Sequence, residues 1–224
     1  MLEIIGMTIN DAKIIEYCGA DRIELVSALT EGGLTPSLGM IESVIRNVKI
    51  PVNVMIRNHA KGFVYSDEEI DIMLRDIDIV RKLGANGVVL GMLDRDKNIS
   101  ELQLRKILES CKDIDVTFHK AIDETNAIES VKTLSKYKEI KNILTSGGTG
   151  DIVKNISVIK EMIKNSKHIN ILLGGGLNFN NIEMIKENTE FTDFHFGNAV
   201  RINNSPFEEL SEEKLNRLVE IIKK

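Results

Sequence analysis

The chain has 224 residues, 42% of them hydrophobic and 28% charged, which excludes a disordered polypeptide and allows one full core. Lys plus Arg number 29 against 34 Asp plus Glu, a net charge of −5 without the basic stripe of a phosphate-backbone binder, so no nucleic-acid partner is expected. No apolar run approaches the roughly 20 residues of a membrane helix, so no membrane partner is expected either.

The two cysteines, Cys18 and Cys111, fall in stretches that read as helix ends. They exclude a disulfide framework and offer no Cys-x-x-Cys pair for zinc or redox work. The opening MLEIIGMTIN lacks the basic start and longer apolar stretch of a secretory signal, and the expectation is a cytoplasmic protein.

In chain order, short apolar runs alternate with longer amphipathic ones. The short runs are LEII (2–5), RIELV (22–26), VNVMI (52–56), GVVLG (87–91), DVTFH (115–119), NILTS (142–146), INILL (169–173) and DFHFG (193–197). Most are apolar on both faces, as strands covered on both sides must be. The clearest helix between them spans 67–83, with Ile70, Met73, Leu74, Ile77 and Val80 at three- and four-residue steps. Ser66 followed by Asp67, Glu68 and Glu69 is its start, a capping hydroxyl and then acids on the positive dipole end; Gly84 stops it. A faint repeat, GADRIEL (19–25) and GANGVVL (84–90), marks the same helix-to-strand turn twice. Eight strand-like runs alternating with about eight helical ones give the count of a single (β/α)8 TIM barrel, an α/β fold in one domain over 1–224. An open doubly wound sheet would carry a glycine fingerprint after its first strand, and Ile5-Gly6-Met7-Thr8 is none.

Function in such barrels sits where strands end, at the C-terminal mouth. Read that way, the strand ends supply Glu24, Arg57, His119 with Lys120 and Asp123, Ser146-Gly147-Gly148, Gly174-Gly175-Gly176, and His195 followed by Gly197-Asn198. In DVTFHK, Val116 and Phe118 point one way and Thr117 and His119 the other; in FHFGN the phenylalanines oppose His195. With the bulky residues facing the helices, both histidines point into the barrel. A buried imidazole facing a carboxylate such as Glu24 serves as a general base or ligates a metal. Glu24, Arg57, His119, Asp123 and His195 are the expected catalytic set. Gly175, Gly176, Gly197 and Asn198, with Lys120, Ser146, Gly147 and Gly148 beside them, are the expected anion-binding set, because bare backbone N–H groups at the ends of strands seven and eight form a nest. The partner is then a small anionic or phosphorylated metabolite, and the chemistry that of a lyase, isomerase or hydrolase. The loop over 57–69, with His59 and Tyr65, is either a lid or a solvated connection, and His168 is structural.

Taken in order, GADRIELVSALTEGGLTPSLGMI (19–41), PVNVMIRN (51–58), FVYSDEEIDIMLRDI (63–77), GANGVVLGML (84–93), VTFHKAID (116–123), ILTSGG (143–148), GGGLNFNNI (174–182) and DFHFGNAV (193–200) resemble the CutC family across essentially the whole chain. The resemblance implies a TIM barrel, a cytoplasmic homodimer, and a role in copper homeostasis with Cu(I) as ligand. It also marks departures. Many members carry Cys where this chain has Ile4 or Ile5, and again where it has Val26; the family's His-Arg pair after the fifth strand becomes His119-Lys120. Cu(I) is soft and prefers thiolate or thioether, so the missing thiols weaken copper as a cofactor. Met7, Met55 and Met92 remain as thioethers, and no metal ligand is assigned.

Overall fold

Eight short strands hydrogen-bond in sequence order and close on themselves. The computed structural model describes residues 1–189 and 191–223; Glu190 and Lys224, inside the domain expected over 1–224, lie outside the described residues. The strands are β1 (Leu2–Gly6), β2 (Arg22–Leu25), β3 (Val52–Met55), β4 (Gly87–Leu90), β5 (Asp115–Phe118), β6 (Ile140–Thr145), β7 (Asn170–Leu173) and β8 (Phe194–Phe196), all pairing in parallel. Helices follow them in turn: α1 (Ile9–Tyr17), α2 (Leu38–Asn47), α3 (Asp67–Lys82), α4 (Glu101–Ser110), α5 (Ala127–Leu134), α6 (Ile156–Asn165), α7 (Ile182–Asn188) and α8 (Glu212–Lys223). This is the (β/α)8 barrel that the alternation predicts. No helix among the described residues is long and apolar enough to cross a membrane.

Local chemistry sets the element ends. Ser66 Oγ accepts from Glu69 N while the Glu69 carboxylate accepts from Ser66 N, a reciprocal capping box that opens α3. Gly19 and Gly84, the repeated glycines, sit at φ 85° and 86° after α1 and α3, a left-handed turn that a Cβ would oppose. Several strands stop one residue short of their apolar run. At His119 the ring Nδ1 accepts from Ala121 N, so the chain turns there and leaves the ladder. β6 begins two residues earlier than its run, at Ile140.

Period-two alternation then sorts the side chains. Leu2, Ile4, Ile23, Leu25, Val54, Val116, Phe118, Phe194 and Phe196 face outward into the layer beneath the helices, where truncating one of the phenylalanines would cost about 3–5 kcal/mol. The inward positions are unusually polar. Glu3, Arg22, Asn53, Thr117 and Asn142 are all buried inside the ring, and Asn142 Nδ2 donates to Thr117 Oγ1 at 3.3 Å. A second small apolar cluster of Ile5, Val26, Met55 and Val89 lies apart from the main core.

Candidate functional site

Strand register builds the first half of the site. In the ladder Glu3 of β1 stands opposite Arg22 of β2 on one side and His195 of β8 on the other. All three point inward and are buried. The Arg22 guanidinium donates to Glu3 Oε2, and Glu3 Oε1 lies 2.7 Å from His195 Nδ1. Two residues beyond Arg22 on the same face comes Glu24, whose Oε2 lies 3.6 Å from His195 Nε2. Burial would raise Glu3, yet Arg22 and the His195 contact hold its carboxyl below the usual carboxylate range. Glu3 is therefore an acceptor, and His195 Nδ1 must donate to it. Burial pulls the His195 imidazolium down, but the Glu24 charge and the Glu3 hydrogen bond outweigh it and the net movement is upward. Glu24 goes the other way from Glu3: burial, reinforced by the Glu3 charge and opposed by His195, pushes it up to about 7. The result is a carboxyl poised near neutrality at the end of an Arg-Glu-His chain.

The second half has opposite electrostatics. Arg57, just past β3, is 6% exposed and donates Nη1–H to the carbonyls of Glu31 at 2.6 Å and Gly33 at 3.1 Å. Its guanidinium carbon sits 4.9 Å from the centre of the Phe63 ring, and Phe63 in turn packs at 4.9 Å from the His119 ring. The loop over 57–69 thus folds onto the mouth through Phe63, while His59 pairs with Glu69 at 3.0 Å. His119 fits because residue 91 is glycine: a Cβ there would stand 2.5 Å from Nδ1. With Nδ1 accepting from Ala121 N at 3.2 Å, the ring proton must sit on Nε2. Burial first, and the Arg57 charge second, push His119 down to about 3, so it is neutral at physiological pH.

The two glycine loops differ. Ser146 N donates to Asp123 Oδ2 at 3.0 Å and Gly148 N to Asp123 Oδ1 at 3.1 Å, while Gly147 N goes to Thr145 Oγ1 at 2.8 Å. Asp123, from the 3-10 turn Lys120–Glu124, thus places an internal anion in the loop after β6. Lys120 Nζ bridges Asp123 at 2.7 Å and Ser146 Oγ at 2.6 Å and packs against Gly175, where a Cβ would collide with it. Gly175, Gly176, Gly197 and Asn198 instead line the cavity.

That cavity, about 590 Å³, fills the mouth. Of the residues expected from the sequence, Glu24, Arg57, His119, Lys120, His195, Gly175, Gly176, Gly197 and Asn198 meet on its wall; Asp123, Ser146, Gly147 and Gly148 stand behind it, joined to it through Lys120. Ile5, Leu29, Met55, Phe63, Leu144 and Leu177 give the wall its apolar part. Three buried polar atoms of wall residues have no hydrogen-bond partner: Glu24 Oε1, His119 Nε2 and Arg57 Nε. An unpaired buried donor or acceptor costs about 1–3 kcal/mol, a cost the fold carries three times among these wall residues. Glu3 and Arg22, which orient His195, and Phe63 join the site without being expected from the sequence. The signal for the first two is charge at alternate, inward positions of adjoining apolar strands. His168, on the far rim, bonds the Tyr137 carbonyl at 3.1 Å.

A metal has few ligands here. Glu3, Glu24 and His195 bring ligand atoms within 4.8 Å of one another, but Glu3 is engaged by Arg22 and by His195. The set is oxygen and imidazole, which does not fit soft Cu(I). His119 cannot add a lone pair, because Nδ1 is taken and Nε2 carries the proton. Cys18 and Cys111 are buried behind the C-terminal ends of α1 and α4, at the opposite end of the barrel from the mouth. Ile5 and Val26, two of the positions where the resemblance would have a thiol, pack side by side with Met55, whereas Ile4 faces the outer core.

Comparison with known proteins adds a family. The CutC family pattern matches residues 1–200. The human copper homeostasis protein cutC homolog is 37% identical over 200 residues, covering 87% of this chain and 72% of that protein. A CutC protein of Salmonella enteritidis is 38% identical over 184 residues, 82% of this chain and 74% of that one. Among solved structures, CutC of Streptococcus agalactiae superposes with a TM-score of 0.81 at 29% identity, over 88% of this chain and 97% of that chain.

Proposed function

The chain belongs to the CutC family, and from that premise and the geometry of the mouth we propose that it binds a small anionic metabolite in the cavity and performs acid–base chemistry on it. One observation carries this reading: Glu24 Oε1, His119 Nε2 and Arg57 Nε are buried and unpaired in the wall of a single cavity. Glu24 is the proton-exchanging group, oriented through His195 by Glu3 and Arg22. Lys120 and the N–H groups about Gly175, Gly176, Gly197 and Asn198 receive the anionic end. In a thermal melt, inorganic phosphate at millimolar concentration should raise the Tm of the wild type, with the gain reduced in Lys120→Met. No shift with phosphate or sulfate contradicts the reading.

Copper homeostasis is the role that the relatives' names carry, and it comes with membership of the family. Direct Cu(I) coordination at the mouth is the second reading, favoured by one observation: the Met55 thioether lines the same cavity as His195. One thioether and one imidazole are a weak site for Cu(I) in a thiol-buffered compartment. A competition titration with a Cu(I) chelator separates the two readings; affinity no better than micromolar removes this one. The buried free thiols suit a reducing compartment, and we read the protein as cytoplasmic.

A further inference from the structure

We propose that the reaction at the mouth is proton transfer at a carbon next to a carbonyl, with Glu24 as the base, the His119 Nε2–H as the donor that polarises the carbonyl, and a small phosphorylated carbonyl compound as the substrate class. The inference rests on the acid–base reading above and goes on to name its chemistry.

His119 is restricted in what it is able to do. Its Nδ1 accepts from Ala121 N at 3.2 Å, and its Nε2 is buried without a partner. The ring is wedged between Phe63 and Phe118, with Gly91 beneath it. A histidine fixed in this tautomer takes no proton at Nε2; it only donates a hydrogen bond. It is therefore neither a general base nor a metal ligand. Arg57 stands beside it on the wall, a fixed positive charge held by the Glu31 and Gly33 carbonyls and by the Tyr65 hydroxyl. The cavity wall thus has a side that only donates, formed by His119 and Arg57, and a group that exchanges protons, Glu24. His195, on the same wall with its Nε2 3.6 Å from Glu24 Oε2, forms one proton-exchanging unit with that carboxyl, opposite the donor side. Enolisation needs one base and fixed donors at the carbonyl oxygen, which is what the wall holds.

The step balances without a further reactant. The Glu24 carboxylate takes the proton from the carbon beside the carbonyl. The C–H electron pair becomes the new C=C bond, and the carbonyl π pair moves onto oxygen, where the His119 Nε2–H hydrogen bond and the nearby Arg57 charge stabilise the enolate. The Glu24 acid then returns the proton to that carbon or to its neighbour, giving exchange or isomerisation. Lys120 and the backbone about Gly175, Gly176 and Gly197 take the phosphate at the other end of the cavity.

The test is calorimetric titration of wild type, His119→Gln and His119→Leu with two probes, inorganic phosphate and 2-phosphoglycolate, whose planar carboxylate stands in for the enolate. In the wild type 2-phosphoglycolate should bind at least about a hundredfold tighter than phosphate, as an analogue of the charged intermediate does. His119→Leu should lose about tenfold or more of that advantage, and His119→Gln, which keeps an N–H donor, should recover most of it. Unchanged phosphate affinity in both variants shows that the cavity is intact. If 2-phosphoglycolate binds no tighter than phosphate, or its advantage survives in His119→Leu, the enolate assignment is overturned while the anion-binding cavity stands. If neither probe binds, the acid–base reading falls and this inference with it.

Discussion

His119 and His195 come from the C-terminal ends of β5 and β8, face the same cavity, and are buried alike, yet their surroundings move their pKa values in opposite directions. His195 lies between two carboxylates, one supplied by the neighbouring strand at its own register and one by the strand beyond. His119 meets a backbone N–H on one nitrogen and a guanidinium nearby. Burial disfavours the imidazolium in both; the neighbours alone decide the outcome. The β8 side of the mouth therefore favours a protonated imidazole and the β5 side a neutral one. Two residues of one type in similar strand contexts acquire separate tasks from the strands packed beside them.

The most forceful way to break this difference is Glu3→Ala. It leaves Arg22 buried without its carboxylate and frees His195, and should cost about 3–5 kcal/mol in urea denaturation. It should also change the pH response of Glu24, leaving His119 as it was. Next come the two glycines that make room for the rings. Gly91→Ala places a Cβ 2.5 Å from His119 Nδ1, and Gly174→Ala places one 2.9 Å from His195 Cδ2 and 2.7 Å from Leu144 Cδ1. Each should cost about 1–3 kcal/mol by overpacking. The first should reduce binding of 2-phosphoglycolate more than that of phosphate.

A gentler comparison is the pH profile of stability, whose slope is at most about 1.4 kcal/mol per pH unit for each proton. His119 is depressed in the fold, so its contribution is present above its unfolded value of 6.5 and is lost as pH falls toward about 3. Glu24 is raised, so its contribution is present below its unfolded value of 4.5 and is lost as pH rises through about 7. His195, also raised, loses its contribution as pH climbs above 6.5. The two sides of the mouth thus slope in opposite directions. His119→Gln should flatten the acid limb, and Glu24→Gln should flatten the fall between pH 4.5 and 7, both read from urea midpoints.

Much of this was legible along the chain. Eight apolar runs alternating with amphipathic ones point to the barrel, and the side-chain alternation about His119 and His195 puts both rings inside. Glu24 stands out as an acid flanked by the apolar Ile23 and Leu25 in the run RIELV. Glu3 does not stand out in LEII, because one charge at the start of a strand looks like a solvated end; its role appears only when β1 closes against β8 and brings it to His195. The glycine loops show the same limit. Ser146-Gly147-Gly148 and Gly174-Gly175-Gly176 look equally suited to an anion, but the turn after His119 delivers Asp123 into the first and leaves the second on the cavity wall. No local pattern announces a carboxylate arriving from 23 residues away.

The most direct measurement is nitrogen NMR of the imidazoles in uniformly labelled protein, followed from pH 8 to pH 4. The account predicts that His119 stays neutral as the Nε2–H tautomer throughout, while His195 is already charged below its ordinary value of 6.5 and loses its proton only above it. His119 and His195 titrating together near 6.5, or a proton on His119 Nδ1, would contradict it.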